Sequence, residues 1–223
     1  MEDYMFKKLF LTLAFCLFST TFLFAQNWEP SEQANYHSSI IKLKGDGYSG
    51  SGTVIKYIED SRVEGYYYGL ILTASHVIHA NDTRFTLFFS NGRTTEKATV
   101  FRRKSGTSSF NDIALIRGLI PDDIKPMETS TEDVPIGKKV EMCGYGAGDF
   151  RHWEAIYGGE GMSNEGHIVF SWAIQGDSGG PIIYKGKVIG VICFGLGVKE
   201  YKDTERIIVG PIYGTNISKI ELS

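Results

Sequence analysis

Cysteine is scarce in this chain, with three in 223 residues, and Cys16 falls inside an apolar run near the start. The other two, Cys143 and Cys193, cannot staple a domain of this size, so the chain is not a disulfide scaffold and must hold itself with a core. Both lie in apolar, strand-like segments, where buried free thiols are the commoner outcome and one bridge between them is the alternative. A surplus of one charge is missing too. Lys and Arg number 23 against 26 Asp and Glu, for a net charge of -3 with the signs interspersed. That balance leaves no basic face for nucleic acid and no acidic tail. Metal-ligand clusters are wanting as well. His76 and His79 form a weak His-x-x-His pair without a third ligand or a helix to carry it, which reads as an exposed His79 and no metal site. No low-complexity tract and no exact repeat is present.

Long apolar runs are absent except near the amino terminus. Lys7 and Lys8 precede an apolar run over 9–18, a second short run ends in "FLFAQ", and the whole resembles a secretory signal cleaved after Ala25. The run is short for a full membrane span, so an uncleaved anchor is the lesser alternative. The expected mature chain is 26–223, secreted or periplasmic, with no membrane association once the signal is removed.

What the chain has in quantity is short runs of β-branched and aromatic residues divided by turn signals. "SIIKLKG", "GTVIKYI", "YYYGLILTA", "RFTLFFSNGR", "EKATVFRR" and "DIALIRG" form one set, with Asn91-Gly92 as a hairpin turn. "GKKVEMCGYG", "GHIVFSW", "GPIIYKGKVIGVICFG" and "ERIIVGPIYG" form a second. Between them, residues 119–137 carry three of the six prolines and no strand period. The pattern predicts an all-β domain with two halves, about 36–120 and 137–214, joined by a connector near 121–136. A short turn after "TASH" and a short helix over 215–222, capped by Thr215 or Asn216, complete the expectation.

Three residues could carry chemistry. Ser178 stands in "WAIQGDSGGPII" (172–183) among glycines, which suits either a nucleophile or any tight surface turn. His76 ends a strand-like run in "LILTASHVIHA"; alone, it is more often a structural or surface histidine than a catalyst. Asp112 heads the apolar run of "FNDIALIRG", where it either caps a turn or accepts the ring N–H of a histidine. Their combination is more specific than any one of them. The order is His, then Asp 36 residues later, then Ser 66 residues after that, with the first two in one β half and the serine in the other.

In that order, "GSGTVI" (50–55), "LTASHV" (72–77), "NDIALI" (111–116) and "GDSGGP" (176–181) resemble the trypsin-like serine peptidases of the chymotrypsin fold. Weaker agreement comes from "GYG" (144–146), "VIGVICFG" (188–195) and "GPIYGTNISKI". "SNGRTTEKATV" and "WAIQ" are similar to the compact bacterial branch that includes the high-temperature-requirement proteases. The resemblance implies two packed antiparallel six-stranded barrels and a serine endopeptidase that needs no metal or organic cofactor. It implies that Ser178 attacks the scissile carbonyl, His76 moves the proton and Asp112 orients His76. The N–H groups of Gly176 and Ser178 would form the oxyanion hole. Trp172, six residues before Ser178, would line the specificity pocket with Gln175, and Cys193, Phe194 and Gly195 would pair with the substrate backbone.

Departures from the family pattern are equally specific. Cys193 replaces the family's serine on the substrate-binding strand, and no cysteine braces the loop before Ser178. Trp172 supplies no carboxylate for a Lys or Arg side chain. It would either fill the pocket or leave an apolar slot, and a plain core role is the alternative. No "IVGG"-like start is present, so Asp177 pairs either with a terminus near Gln26 or with an internal group. The expected partners are protein or peptide substrates. A silent binding protein on the same fold would have lost a triad residue, and none is lost; an esterase or self-processing enzyme would keep the same triad.

Overall fold

The computed structural model describes residues 36–45, 48–78, 85–105, 112–161, 166–195, 198–202 and 205–220. The expected signal, His79 and Asn111 lie outside these residues. Among the described residues thirteen strands run in chain order: β1 (Ile40–Lys44), β2 (Ser49–Asp60), β3 (Tyr66–Thr73), β4 (Phe85–Phe88), β5 (Thr94–Ser105), β6 (Asp112–Pro121), β7 (Lys139–Gly144), β8 (Arg151–Glu160), β9 (Gly166–Ile174), β10 (Pro181–Tyr184), β11 (Lys187–Gly195), β12 (Val198–Lys202) and β13 (Glu205–Asn216). All the pairings between them are antiparallel.

The first six strands close into a barrel in the order β1-β2-β3-β6-β5-β4. β6 reads "DIALIRGLIP" and is buried along most of its length, because it is a central strand packed on both sides. Ile40, Ile41, Leu43, Ile71, Leu72, Ile113, Leu115, Ile116 and Ile120 are buried in its core. Each such side chain contributes roughly 1.5–3 kcal/mol on leaving water. Between β4 and β5, Gly92 takes φ +81°, the turn geometry expected from Asn91-Gly92.

The second sheet has the order β11-β10-β7-β8-β9-β13-β12. β11 also pairs with β13, from Gly190↔Asn216 to Gly195↔Ile212, which returns the sheet on itself and leaves β12 as an appended hairpin strand. Val140, Met142, Trp153, Val169, Ile182, Ile189, Ile192 and Ile212 form its own core. Cys143, Val191 and Cys193 instead join the first barrel's apolar cluster. Both cysteines are free and buried, as their apolar surroundings led us to expect. From Asp122 to Lys138 no strand forms; a single bridge ties Thr129 to Val188.

The expected terminal helix is corrected. Thr215 and Asn216 end β13, and among the described residues a three-residue 3-10 turn, Ile217–Lys219, follows. Thr215 and Asn216 are taken up by the β11–β13 pairing, so the chain is still extended where the capping signal stands. Asn216 still caps what there is, its side chain accepting the Ser218 N–H at 2.9 Å.

Candidate active site

β3 ends at Thr73, and the chain then turns through a 3-10 turn, Ser75–Val77, that lifts His76 out of the barrel. Ser75 and Val77 are buried, and the His76 side chain is 47% exposed. Asp112 begins β6, which lies beside β3 with Thr73 opposite Ala114. That register sets the aspartate against the turn. The His76 backbone N–H donates to Asp112 Oδ1 at 2.7 Å, and His76 Nδ1 lies 2.5 Å from Oδ2. One carboxylate thus fixes both the backbone and the ring of one histidine. With the proton on Nδ1 facing Asp112, Nε2 is left as a proton acceptor.

The second sheet grips Asp112 by its backbone. Its N–H donates to Thr215 Oγ1 at 3.2 Å, and its carbonyl accepts from Cys193 Sγ at 3.2 Å. Cys193 therefore lies beside Asp112, where it holds the main chain. Cys193 Sγ also lies 3.2 Å from Thr215 Oγ1. Burial and the nearby Asp112 charge push the Cys193 thiol pKa far up, so it stays protonated and is no nucleophile.

Ser178 sits in the tight turn between β9 and β10. Its carbonyl accepts the Ser51 N–H at 2.8 Å, while Ser51 Oγ donates to the Gly176 carbonyl at 2.7 Å and accepts from the Tyr145 N–H at 2.8 Å. Ser51, on β2, thereby ties the turn to the first barrel. A Cβ on Gly50 would fall 2.5 Å from Val77 Cγ1 and 3.0 Å from the Ser178 carbonyl oxygen. The segment that carries His76 and the turn that carries Ser178 thus meet over Gly50, at a spacing that only glycine allows. The Ser178 hydroxyl donates to the Cys193 carbonyl at 3.3 Å. Among the described residues it forms no hydrogen bond with His76.

Within the turn, the N–H groups of Asp177, Gly179 and Gly180 donate to the carbonyls of Ile174, Ile192 and Asp177. Those of Gly176 and Ser178 have no acceptor among the described residues. Gly176 takes φ +105°, and a Cβ there would come within 2.6 Å of the Tyr145 carbonyl. Two unengaged donors on alternate residues are what a developing oxyanion would need.

Of the other candidates, Gln175 is exposed and its carbonyl accepts the Ala147 N–H at 3.0 Å. Phe194 and Gly195 pair with Tyr213 and Ile212 of β13. β10 stops pairing with β11 at Val191, so this end of β11 has no strand on that side among the described residues. Trp172 is 41% exposed on β9 and in contact with Arg151 and Trp153. Asp177 pairs with an internal group, Arg151, at 3.1 Å. Arg151 carries no motif in its strand, and Thr215 stands out in the sequence only as a helix cap, with nothing there to point to Asp112. Ser51 lay inside the quoted "GSGTVI" without being singled out.

A family model described as "trypsin-like peptidase domain" matches residues 50–191. Among curated proteins none matches. Solved structures with a similar fold include the inactive form of the Rv3671c protease of M. tuberculosis, at 21% identity. There 83% of this chain and 87% of that chain are covered, with a TM-score of 0.59. The serine endoprotease from Yersinia pestis matches at 19% identity over 79% of this chain and 60% of that one, with a TM-score of 0.52. The HtrA-type protease AlgW with a tripeptide matches at 17% identity over 83% and 58%, with a TM-score of 0.59. The family match runs from the glycine that separates the Ser178 turn from Val77, through His76, Asp112 and Ser178, to the strand before Cys193: the chain belongs to the trypsin-like peptidases.

Proposed function

We propose that the protein is an exported serine endopeptidase whose nucleophile is Ser178, whose base is His76 and whose orienting acid is Asp112. The observation that carries this reading is the double engagement of Asp112 by His76, through the backbone N–H at 2.7 Å and Nδ1 at 2.5 Å. It holds the ring in the tautomer that a base needs. Ser178 Oγ leaves its contact with the Cys193 carbonyl, passes its proton to His76 Nε2 and bonds to the scissile carbonyl carbon. The carbonyl oxygen gains the charge and takes the N–H groups of Gly176 and Ser178, each worth about 3–4 kcal/mol in comparable sites. His76 then returns the proton to the departing amine, leaving an acyl-enzyme. Water, deprotonated by His76, attacks the acyl carbon and releases the acid and Ser178.

Substrate backbone adds to β11 at Cys193–Gly195 on its unpaired side, as an extra strand. Trp172 and Gln175 face the side chain that precedes the cleaved bond. The amino-terminal signal sends the protein to the periplasm or outside the cell. Treatment with a fluorophosphonate probe tests the reading: wild type gains one adduct on Ser178, and Ser178→Ala gains none and loses roughly 10⁶-fold in peptide turnover. Absence of the adduct in folded wild-type protein sinks it.

A further inference from the structure

Asp177 lies between the two residues whose N–H groups are unengaged, and it is completely buried. Its Oδ2 accepts the Ile174 N–H at 2.8 Å and the Arg151 guanidinium at 3.1 Å. Burial pushes the carboxyl pKa up, and the guanidinium, with the N–H groups of Ile174 and Gly146, pulls it back. Without Arg151 the carboxylate would be a buried charge lacking its counter-ion, or would take up a proton. Either change alters what closes the turn on which Gly176 and Ser178 stand. Arg151 reaches it from β8, a strand outside the turn.

The guanidinium has a second set of contacts. Its Cζ lies 3.9 Å from the ring centre of Trp172 and 4.7 Å from that of Trp153. The two indoles are themselves 5.7 Å apart at 31°, so Arg151 rests in the angle between them. Trp153 is the fixed wall, 5% exposed with its indole N–H on Ser171 Oγ at 3.0 Å. Trp172 is the wall that faces solvent, at 41% exposed. It precedes Ile174, whose N–H is on Asp177, by two residues along β9.

We propose that Trp172 and Arg151 are a positioning pair that couples occupancy of the specificity pocket to the oxyanion loop. A side chain that packs on the exposed indole face holds the ring against the guanidinium. The guanidinium in turn holds Asp177, and with it the Gly176 and Ser178 N–H groups. The same geometry sets the substrate class. An indole face takes a small or medium apolar side chain, whereas a Lys or Arg finds no carboxylate, because Asp177 is committed to Arg151. The inference rests on the peptidase reading above and adds that Trp172 acts on turnover as well as on binding.

A double-mutant cycle tests the coupling, with kcat and KM measured on peptide p-nitroanilides bearing Ala, Val, Phe or Arg before the anilide. We expect cleavage after Val or Ala over Arg. Trp172→Ala should lower kcat about 5- to 10-fold, and Arg151→Met about 10²-fold or more, the scale of a lost oxyanion donor. Arg151→Lys should recover part of that loss, keeping the charge without the planar stacking face. In the Arg151→Lys background Trp172→Ala should cost no further kcat, because the contact it removes is already gone. The proposal is overturned if Trp172→Ala moves KM alone, if the Trp172→Ala and Arg151→Lys losses simply multiply, or if Arg is the preferred residue. Thermal unfolding of each variant accompanies the kinetics. Should Arg151→Met not fold, the cycle with Arg151→Lys decides alone. A wild type that neither cleaves these peptides nor takes the fluorophosphonate overturns the peptidase reading itself. An active wild type with multiplying losses overturns only the coupling.

Discussion

The two β halves bury different kinds of polar group. Among the described residues of the first barrel the buried polar side chains are hydroxyls: Ser39, Ser51, Thr53, Thr73, Ser75 and Thr95. In the second sheet they include Asp177 and His167, beside Thr215. A hydroxyl can be satisfied by one carbonyl, as Thr73 is by the Ser51 carbonyl at 2.7 Å. A carboxylate or an imidazole needs a partner of matching charge or protonation. The first half is therefore a neutral scaffold whose ionisable pair, His76 and Asp112, stands at its rim. The second half has charge built into its interior, at the turn that carries Ser178.

The sharpest test of this division is at the rim of the first barrel. Asp112→Asn keeps the side-chain volume but loses the acceptor that fixes the His76 tautomer, and should lower kcat about 10⁴-fold. Its unfolding midpoint should stay close to wild type; a large fall would mean that Asp112 holds the barrel as well as the ring. Next in size, Ile71→Ala removes a fully buried side chain from the first barrel and should cost about 2–5 kcal/mol in urea unfolding. Because no carboxylate, histidine, lysine or arginine is buried in that core among the described residues, the loss should be the same at pH 5 and pH 8.

The smallest effect belongs to the second half. His167 is buried between the Tyr157 hydroxyl and the Ile189 carbonyl, each at 3.0 Å, and burial lowers its pKa from 6.5. Below pH 6.5 the unfolded chain binds a proton that the folded chain refuses, so stability is complete above that value and falls as pH drops through it. The slope is at most about 1.4 kcal/mol per pH unit. His167→Gln should flatten it, as read by urea unfolding between pH 5 and pH 8. An unchanged slope would remove His167 from the comparison and leave Asp177 as the interior charge.

Much of the candidate site was legible because its residues sit in motifs with a mechanical reason. Ser178 among glycines, His76 at a strand end and Asp112 at the head of an apolar strand each have an ordinary role, and their order along the chain makes the catalytic reading the more specific one. Strand positions were readable from alternation and β-branching, and the turn at Asn91-Gly92 from its dipeptide. The terminal helix was misread because local capping signals say nothing about a competing strand partner, and β11 claims Thr215. The contacts of Thr215 and Arg151 were invisible for a related reason. Their roles depend on what stands opposite them, Asp112 and Asp177, at separations of 103 and 26 residues.

The sequence by itself determined the β pattern, the three residues that carry the proposed chemistry and the lack of a disulfide framework. These follow from local periodicity, turn chemistry and composition. Only the tertiary structure decided which group neutralises Asp177, what holds the backbone of Asp112, and that Trp172 leans on a guanidinium. Those are contacts between strands distant in sequence, fixed by register and by burial, and a buried charge takes whichever partner the packing brings to it.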